Sequence, residues 1–214
     1  MFCQNFEISF CGEGKEVTVE TLAKLMLSLQ RKKCHNINLV SPGHIIPQIV
    51  EALLIAAQNG LNIPIVYNSN GYDLTDTLKH LDGIIDIYLP DMKFADNKLG
   101  KKYLGVKNYY DIASSALIEM FRQVGNLEAD DMNIAYKGLI IRQLVMPQNL
   151  AHSEKIMTFI AENLSLKTYV NIMAQYYPSH QSYKFKEINR GIRDEEFKYV
   201  IKVANEVGLE NIRR

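Results

Sequence analysis

Several polar residues in this chain stand directly after short apolar runs, where loops rich in donors, acceptors and charge suit a polar cofactor. Ser41-Pro42-Gly43-His44 follows Ile37–Val40, and Asn68-Ser69-Asn70-Gly71 follows Ile63–Tyr67. Pro90-Asp91-Met92-Lys93 follows Ile85–Leu89, and Gln175-Tyr176-Tyr177 follows Thr168–Met173. Asp91 and Lys93 are two residues apart at a strand end, so their side chains point the same way and can pair while facing a pocket. Arg142 lies inside the apolar run Leu139–Val145. A guanidinium there needs an acidic partner or a carboxylate ligand, and Gln143 alternates to the opposite face. Cys3 taken by itself reads as a plain N-terminal cysteine. The five histidines show no metal-ligand spacing, and neither a glycine-rich phosphate loop nor a Ser/His/Asp grouping occurs. No catalytic side chain is therefore assigned.

The five apolar runs, Ile37–Val40, Ile63–Tyr67, Ile85–Leu89, Leu139–Val145 and Thr168–Met173, do not alternate cleanly with polar residues. They read as strands buried on both faces. Helical spacing fills the intervals. Leu22, Leu25, Met26 and Leu29 form one stripe behind the N-cap candidate Thr18, and Ile45 to Leu54 forms another, closed by Gly60. Shorter or later helices are expected over 74–81, about 110–124 before Gly125, 153–164 with Ser153 as cap, and from Asp194 to Gly208. Strand–helix alternation with parallel-type strands specifies an α/β fold, and in α/β barrels the carboxyl ends of the strands form one functional rim.

At 214 residues the chain suits a single domain, 1–214, with a sizeable core. Its 24 basic and 24 acidic residues balance, which argues against a nucleic-acid footprint. Apolar stretches are too short to span a membrane, and Met1 leads into a polar segment rather than a signal peptide. Three scattered cysteines argue against a disulfide framework and for a reducing cytoplasm.

Cys3-Gln4-Asn5-Phe6-Glu7-Ile8-Ser9 resembles the stretch that begins with the last cysteine of a Cys-x3-Cys-x2-Cys loop. Further blocks follow in order: NINLVSPGH at 36–44, PIVYNSNGYD at 64–73, IDIYLPDMKFAD at 85–96, IIRQLVMP at 140–147 and YVNIMAQYYP at 169–178. On these the chain resembles the radical S-adenosylmethionine (SAM) enzymes, in the branch related to pyruvate formate-lyase activating enzyme. The resemblance implies a partial (β/α)6 TIM-like barrel whose first strand precedes residue 1, leaving five strands and a hydrophobic edge here. Three thiolates of that family hold a 4Fe-4S cluster whose remaining iron takes SAM. Counting back from Cys3, the other two would lie before Met1, so the chain is expected to start inside the motif and to be inactive without a cluster.

The resemblance further implies Cys3 as an iron ligand, and cofactor contacts from Asn5, Ser41, Gly43, Asn68, Ser69, Asp91, Lys93, Arg142 and Gln175. Ser41-Pro42-Gly43 would approach the SAM amino group or simply initiate a helix. Asn68-Ser69 would meet ribose or carboxylate or form a turn. The implied chemistry is reductive cleavage of SAM to a 5′-deoxyadenosyl radical that abstracts hydrogen. In activating enzymes the target is a glycine of a partner glycyl-radical enzyme, with flavodoxin or ferredoxin as electron donor. Two rival readings are a non-catalytic truncated or split-gene barrel, and a barrel lyase using Lys93 as a Schiff-base amine.

Overall fold

The computed structural model describes residues 2, 3, 6–9 and 11–213, with the side chains of residues 8 and 9 outside that description. A single turn, α1 (Phe6–Ser9), precedes α2 (Val19–Arg31). Alternation follows: β1 (Ile37–Val40), α3 (Ile46–Gln58), β2 (Ile65–Ser69), α4 (Thr75–Lys79), β3 (Ile87–Pro90), the short α5 (Asn97–Leu99) and α6 (Tyr109–Val124). Then come β4 (Glu128–Ala129), β5 (Ala135–Leu144), α7 (Ser153–Asn163), β6 (Tyr169–Met173), α8 (Asp194–Glu206) and β7 (Ile212–Arg213). The sheet order is β1-β2-β3-β5-β6-β7, all parallel, with β4 pairing antiparallel to β5. This is the α/β architecture of a partial TIM-like barrel. Its sixth parallel strand, β7, pairs Val170 with Ile212. Two residues are too short to leave a periodic signature, so five strands are what the pattern shows.

The helix starts follow elementary capping. Thr18 caps α2, its hydroxyl accepting from Thr21 N at 3.2 Å. Ser153 and Asp194, expected as caps, are instead the first helical residues. For α8 the capping acceptor comes from within: Glu196 Oε2 takes the N–H of Arg193 at 2.7 Å. Ser153 is buried and its hydroxyl meets Gln143 Nε2 at 3.0 Å, which holds α7 against the outer face of β5.

Burial on both faces holds only for the middle of the sheet. Every residue of β2 is buried, whereas β1 alternates, with Ile37 and Leu39 buried and Asn38 and Val40 exposed. In β6, Val170 and Ile172 are buried and Tyr169, Asn171 and Met173 only partly so. The helices cover one side of the sheet, and the other side of the outer strands is the inner face of a barrel that does not close over them. Cys34, just beyond α2, is half-buried.

Three carboxylates lock the outer layer. Glu119 takes the Arg122 guanidinium at 2.8 and 2.9 Å, and Glu196 takes Arg190 at 2.6 and 2.9 Å. Glu187 takes the Lys102 ammonium and, at 2.6 Å, the Tyr103 hydroxyl. Hydrogen bonds to these partners hold each carboxyl down to about 2, from an ordinary 4.5. Because the native state prefers the charged form, this stability is present above the ordinary value and is lost as pH falls toward the native one. The urea midpoint is therefore expected to decline from about pH 4.5 down to about pH 2, with a shallower decline in Glu196→Gln. An equally steep decline in that variant would place the proton uptake elsewhere.

Candidate functional site

The carboxyl ends of β2, β3 and β5 bring four residues together. β3 and β5 stay in register beyond the end of β3, with Asp91 opposite Arg142 and Met92 N donating to Arg142 O at 2.8 Å. Asn68 stands opposite Leu89, two residues before Asp91, and so shares its face. The Arg142 Nη2 donates to Asn68 Oδ1 at 2.7 Å. Arg142 Nε lies 2.7 Å from Asp91 Oδ1, close as charges but not aligned as an N–H···O hydrogen bond. Lys93 Nζ donates to Asp91 Oδ2 at 2.6 Å. One carboxylate thus serves two cations, and the three side chains are 14 to 23% exposed. Arg142 also stands in register with Asn171 of β6. Gln143 faces the other way and is fully buried.

The remaining sequence candidates distribute around this cluster. Ser69 turns to the helix side, where its hydroxyl donates to Asp73 Oδ2 at 2.7 Å and accepts from Gly71 N at 3.1 Å. Tyr67 donates to the other oxygen, Oδ1, at 2.8 Å. Ser41, left-handed at φ 52°, is tied to β2 by its N–H to Asn68 O at 2.7 Å, and its side chain makes no cap. Gly43 is exposed and packs close to Asp73, since a Cβ there would lie 3.3 Å from Asp73 Oδ1. Ser41 and Gly43 therefore border the Asp73 turn rather than the Asp91 cluster. Gln175 is exposed in the segment leaving β6. Asn5 lies outside the described residues.

Cys3 sits on the same rim. The ring of Phe2 is buried against Phe94, just beyond β3, and Tyr176, just beyond β6, with centroids 6.0 and 5.9 Å away. Ser179 Oγ donates to the carbonyl of Cys3 at 3.1 Å, and Cys3 is exposed. Tyr176 itself is a packing residue, its hydroxyl donating to Ile188 O at 2.6 Å.

Chemically, the Asn68–Asp91–Lys93–Arg142 group offers cations, a carboxylate and an amide carbonyl to an ammonium or carboxylate ligand. The misaligned Nε and Oδ1 leave hydrogen-bonding capacity unspent. Such a donor set fits the amino-acid portion of SAM. Among the described residues, no group of three or more His, Cys, Asp or Glu side chains converges as a metal-ligand set. Two contributors escaped the sequence reading. Asp73 lies two residues beyond the Asn-Ser-Asn-Gly turn, inside the block at 64–73 but with no role assigned to it, and Tyr109 opens α6 with no motif around it.

No established family profile matches the chain. It is 32% identical to an uncharacterized protein, MJ0674, of Methanocaldococcus jannaschii over 99% of its own residues, and it spans 60% of that relative's length. Among solved structures it resembles a domain of pyruvate-formate lyase-activating enzyme from Bacteroides vulgatus, with TM-score 0.56 and 12% identity. That likeness covers 84% of this chain and 98% of the domain, and it is one of fold.

Proposed function

We propose that the protein belongs to the radical SAM enzymes related to pyruvate formate-lyase activating enzyme, and that residues 1–214 act as one barrel-type domain. The reading rests on one observation. The Phe2-Cys3 backbone and the Asn68–Asp91–Lys93–Arg142 cluster stand on a single carboxyl rim of a fold shared with a domain of that enzyme. Arg142 and Lys93 would receive the SAM carboxylate, and Asp91 and Asn68 the amino group. Gln175 and Asn5 would extend the cofactor wall, Ser41, Gly43 and Ser69 would brace it from behind through the Asp73 turn, and Cys3 would be one iron ligand of a 4Fe-4S cluster. When bound, SAM supplies hydrogen-abstraction chemistry; the chain's own residues hold and orient its charged end.

In this reading the target is a carbon–hydrogen bond of a substrate, with the glycine of a glycyl-radical enzyme as the partner class. The electron donor is of flavodoxin or ferredoxin type, and the setting is cytoplasmic. No described helix is long and apolar enough to cross a membrane. The Schiff-base alternative loses ground because Lys93 Nζ is held by Asp91 Oδ2 at 2.6 Å, whereas imine formation needs that nitrogen free to attack a carbonyl.

The direct test is anaerobic equilibrium dialysis with radiolabelled SAM. Saturable binding is expected, weakened about tenfold in Lys93→Ala, an energy of about 1.4 kcal/mol. Absence of saturable binding at Kd values up to about 1 mM, roughly −4 kcal/mol, overturns the reading.

A further inference from the structure

The Asp91 cluster draws residues from β2, β3 and β5, and a single buried hydroxyl joins the segments that leave β2 and β3. Tyr109, the first residue of α6, is fully buried. Lys93 N donates to Tyr109 Oη at 3.0 Å. The phenol O–H in turn points at the carbonyls of Asn70, at 3.0 Å, and Asp91, at 3.2 Å. Those atoms belong to the loop leaving β2 and to the segment leaving β3. Gly71 brings the two into contact, because a Cβ there would lie 2.3 Å from Asp91 O and 3.6 Å from Tyr109 Oη. Tyr72 stacks on the Tyr109 ring, with centroids 6.2 Å apart and planes 10° apart, and its own hydroxyl donates to Lys107 O at 2.9 Å.

We infer that the Tyr109 hydroxyl is the positioning group of the rim. It sets the spacing between the Asn68–Asn70 exit and the Asp91–Lys93 exit, and so the geometry in which Asn68, Asp91, Lys93 and Arg142 meet a ligand. The inference rests on the SAM reading for the ligand, and on the bond pattern alone for the positioning. Tyr109 touches no ligand in this account; it acts through the backbone of Lys93 and Asp91. Burial drives its phenol well above the ordinary range, so the proton needed for the carbonyls is retained across physiological pH. A buried donor–acceptor that closes a three-way junction has no substitute if removed, and displacements of about 1 Å at a binding constellation cost on the order of a hundredfold.

The test compares Tyr109→Phe with Tyr88→Phe. Tyr88 is equally buried, and its hydroxyl donates to Gln123 of α6 on the helix side of the sheet. Tyr109→Phe is expected to speed exchange of the Lys93 amide at least about tenfold in the ligand-free protein and to weaken SAM binding about tenfold. Tyr88→Phe should lower thermal stability to a similar degree and leave both readings unchanged. In a Lys93→Ala background the Tyr109→Phe penalty on SAM binding should shrink to about twofold, because both changes act through one unit. Wild-type exchange at Lys93 in Tyr109→Phe overturns the inference without reference to any ligand. Equal SAM affinity in Tyr109→Phe and wild type overturns it too, while the SAM reading stands. No SAM binding by the wild type removes both.

Discussion

Asp91→Ala is expected to lower unfolding free energy by about 2–4 kcal/mol and to remove saturable SAM binding. The size follows from how much one carboxylate does. It is 2.6 Å from the Lys93 ammonium and 2.7 Å from Arg142 Nε, and the three side chains are 14 to 23% exposed. A fully exposed pair would be worth about 0–1 kcal/mol. Here two partly buried cations would lose their shared carboxylate, Arg142 keeping Asn68 Oδ1 as an acceptor, so the loss exceeds a surface pair and falls short of a fully buried one. Asp91→Asn keeps the shape and one acceptor and should be intermediate. Urea unfolding followed by dialysis with SAM separates the two effects. A change in stability below about 0.5 kcal/mol would mean that solvent already screens the cluster.

Gly71→Ala is the second large change. Gly71 has φ +78°, which a residue with Cβ adopts at a cost of about 1–2 kcal/mol. The added carbon would also meet backbone, at 2.3 Å from Asp91 O and 3.4 Å from Asp91 C. Backbone in the middle of a sheet cannot step aside as a flexible side chain does, so a total near 3–5 kcal/mol is expected, a large share of a domain's stability. Gly60→Ala is the matched control. Its φ is +89°, but nothing lies within 4 Å of the added carbon, so only the conformational part should appear. Equal midpoint shifts for the two variants would show that the β2 exit moves freely away from β3.

The sequence made the alternation of strands and helices legible because Ile, Val, Leu and Tyr concentrate in five runs and the stripes between them keep helical spacing. It made the rim legible too, since Asp91, Lys93 and Arg142 are charges set in apolar surroundings and such groups must meet. Three features were beyond it for separate reasons. β7 is two residues of edge pairing with no run of its own. The exposure of Asn38 and Val40 and the partial exposure of Asn171 on the inner face depend on tertiary cover, which local pattern does not record. Tyr109 looks like any aromatic at a helix start until register brings Asn70, Asp91 and Lys93 within reach of its hydroxyl.

The chain has twelve tyrosines, eight phenylalanines and no tryptophan, so phenol rings dominate its near-ultraviolet spectrum, with only a weaker phenylalanine contribution at shorter wavelength. Two of the most enclosed, Tyr67 and Tyr109, have hydroxyls bonded within the turns beside the Asp91 cluster. The protein thus carries an intrinsic chromophore at the rim, readable by second-derivative absorbance or near-ultraviolet dichroism without any attached dye.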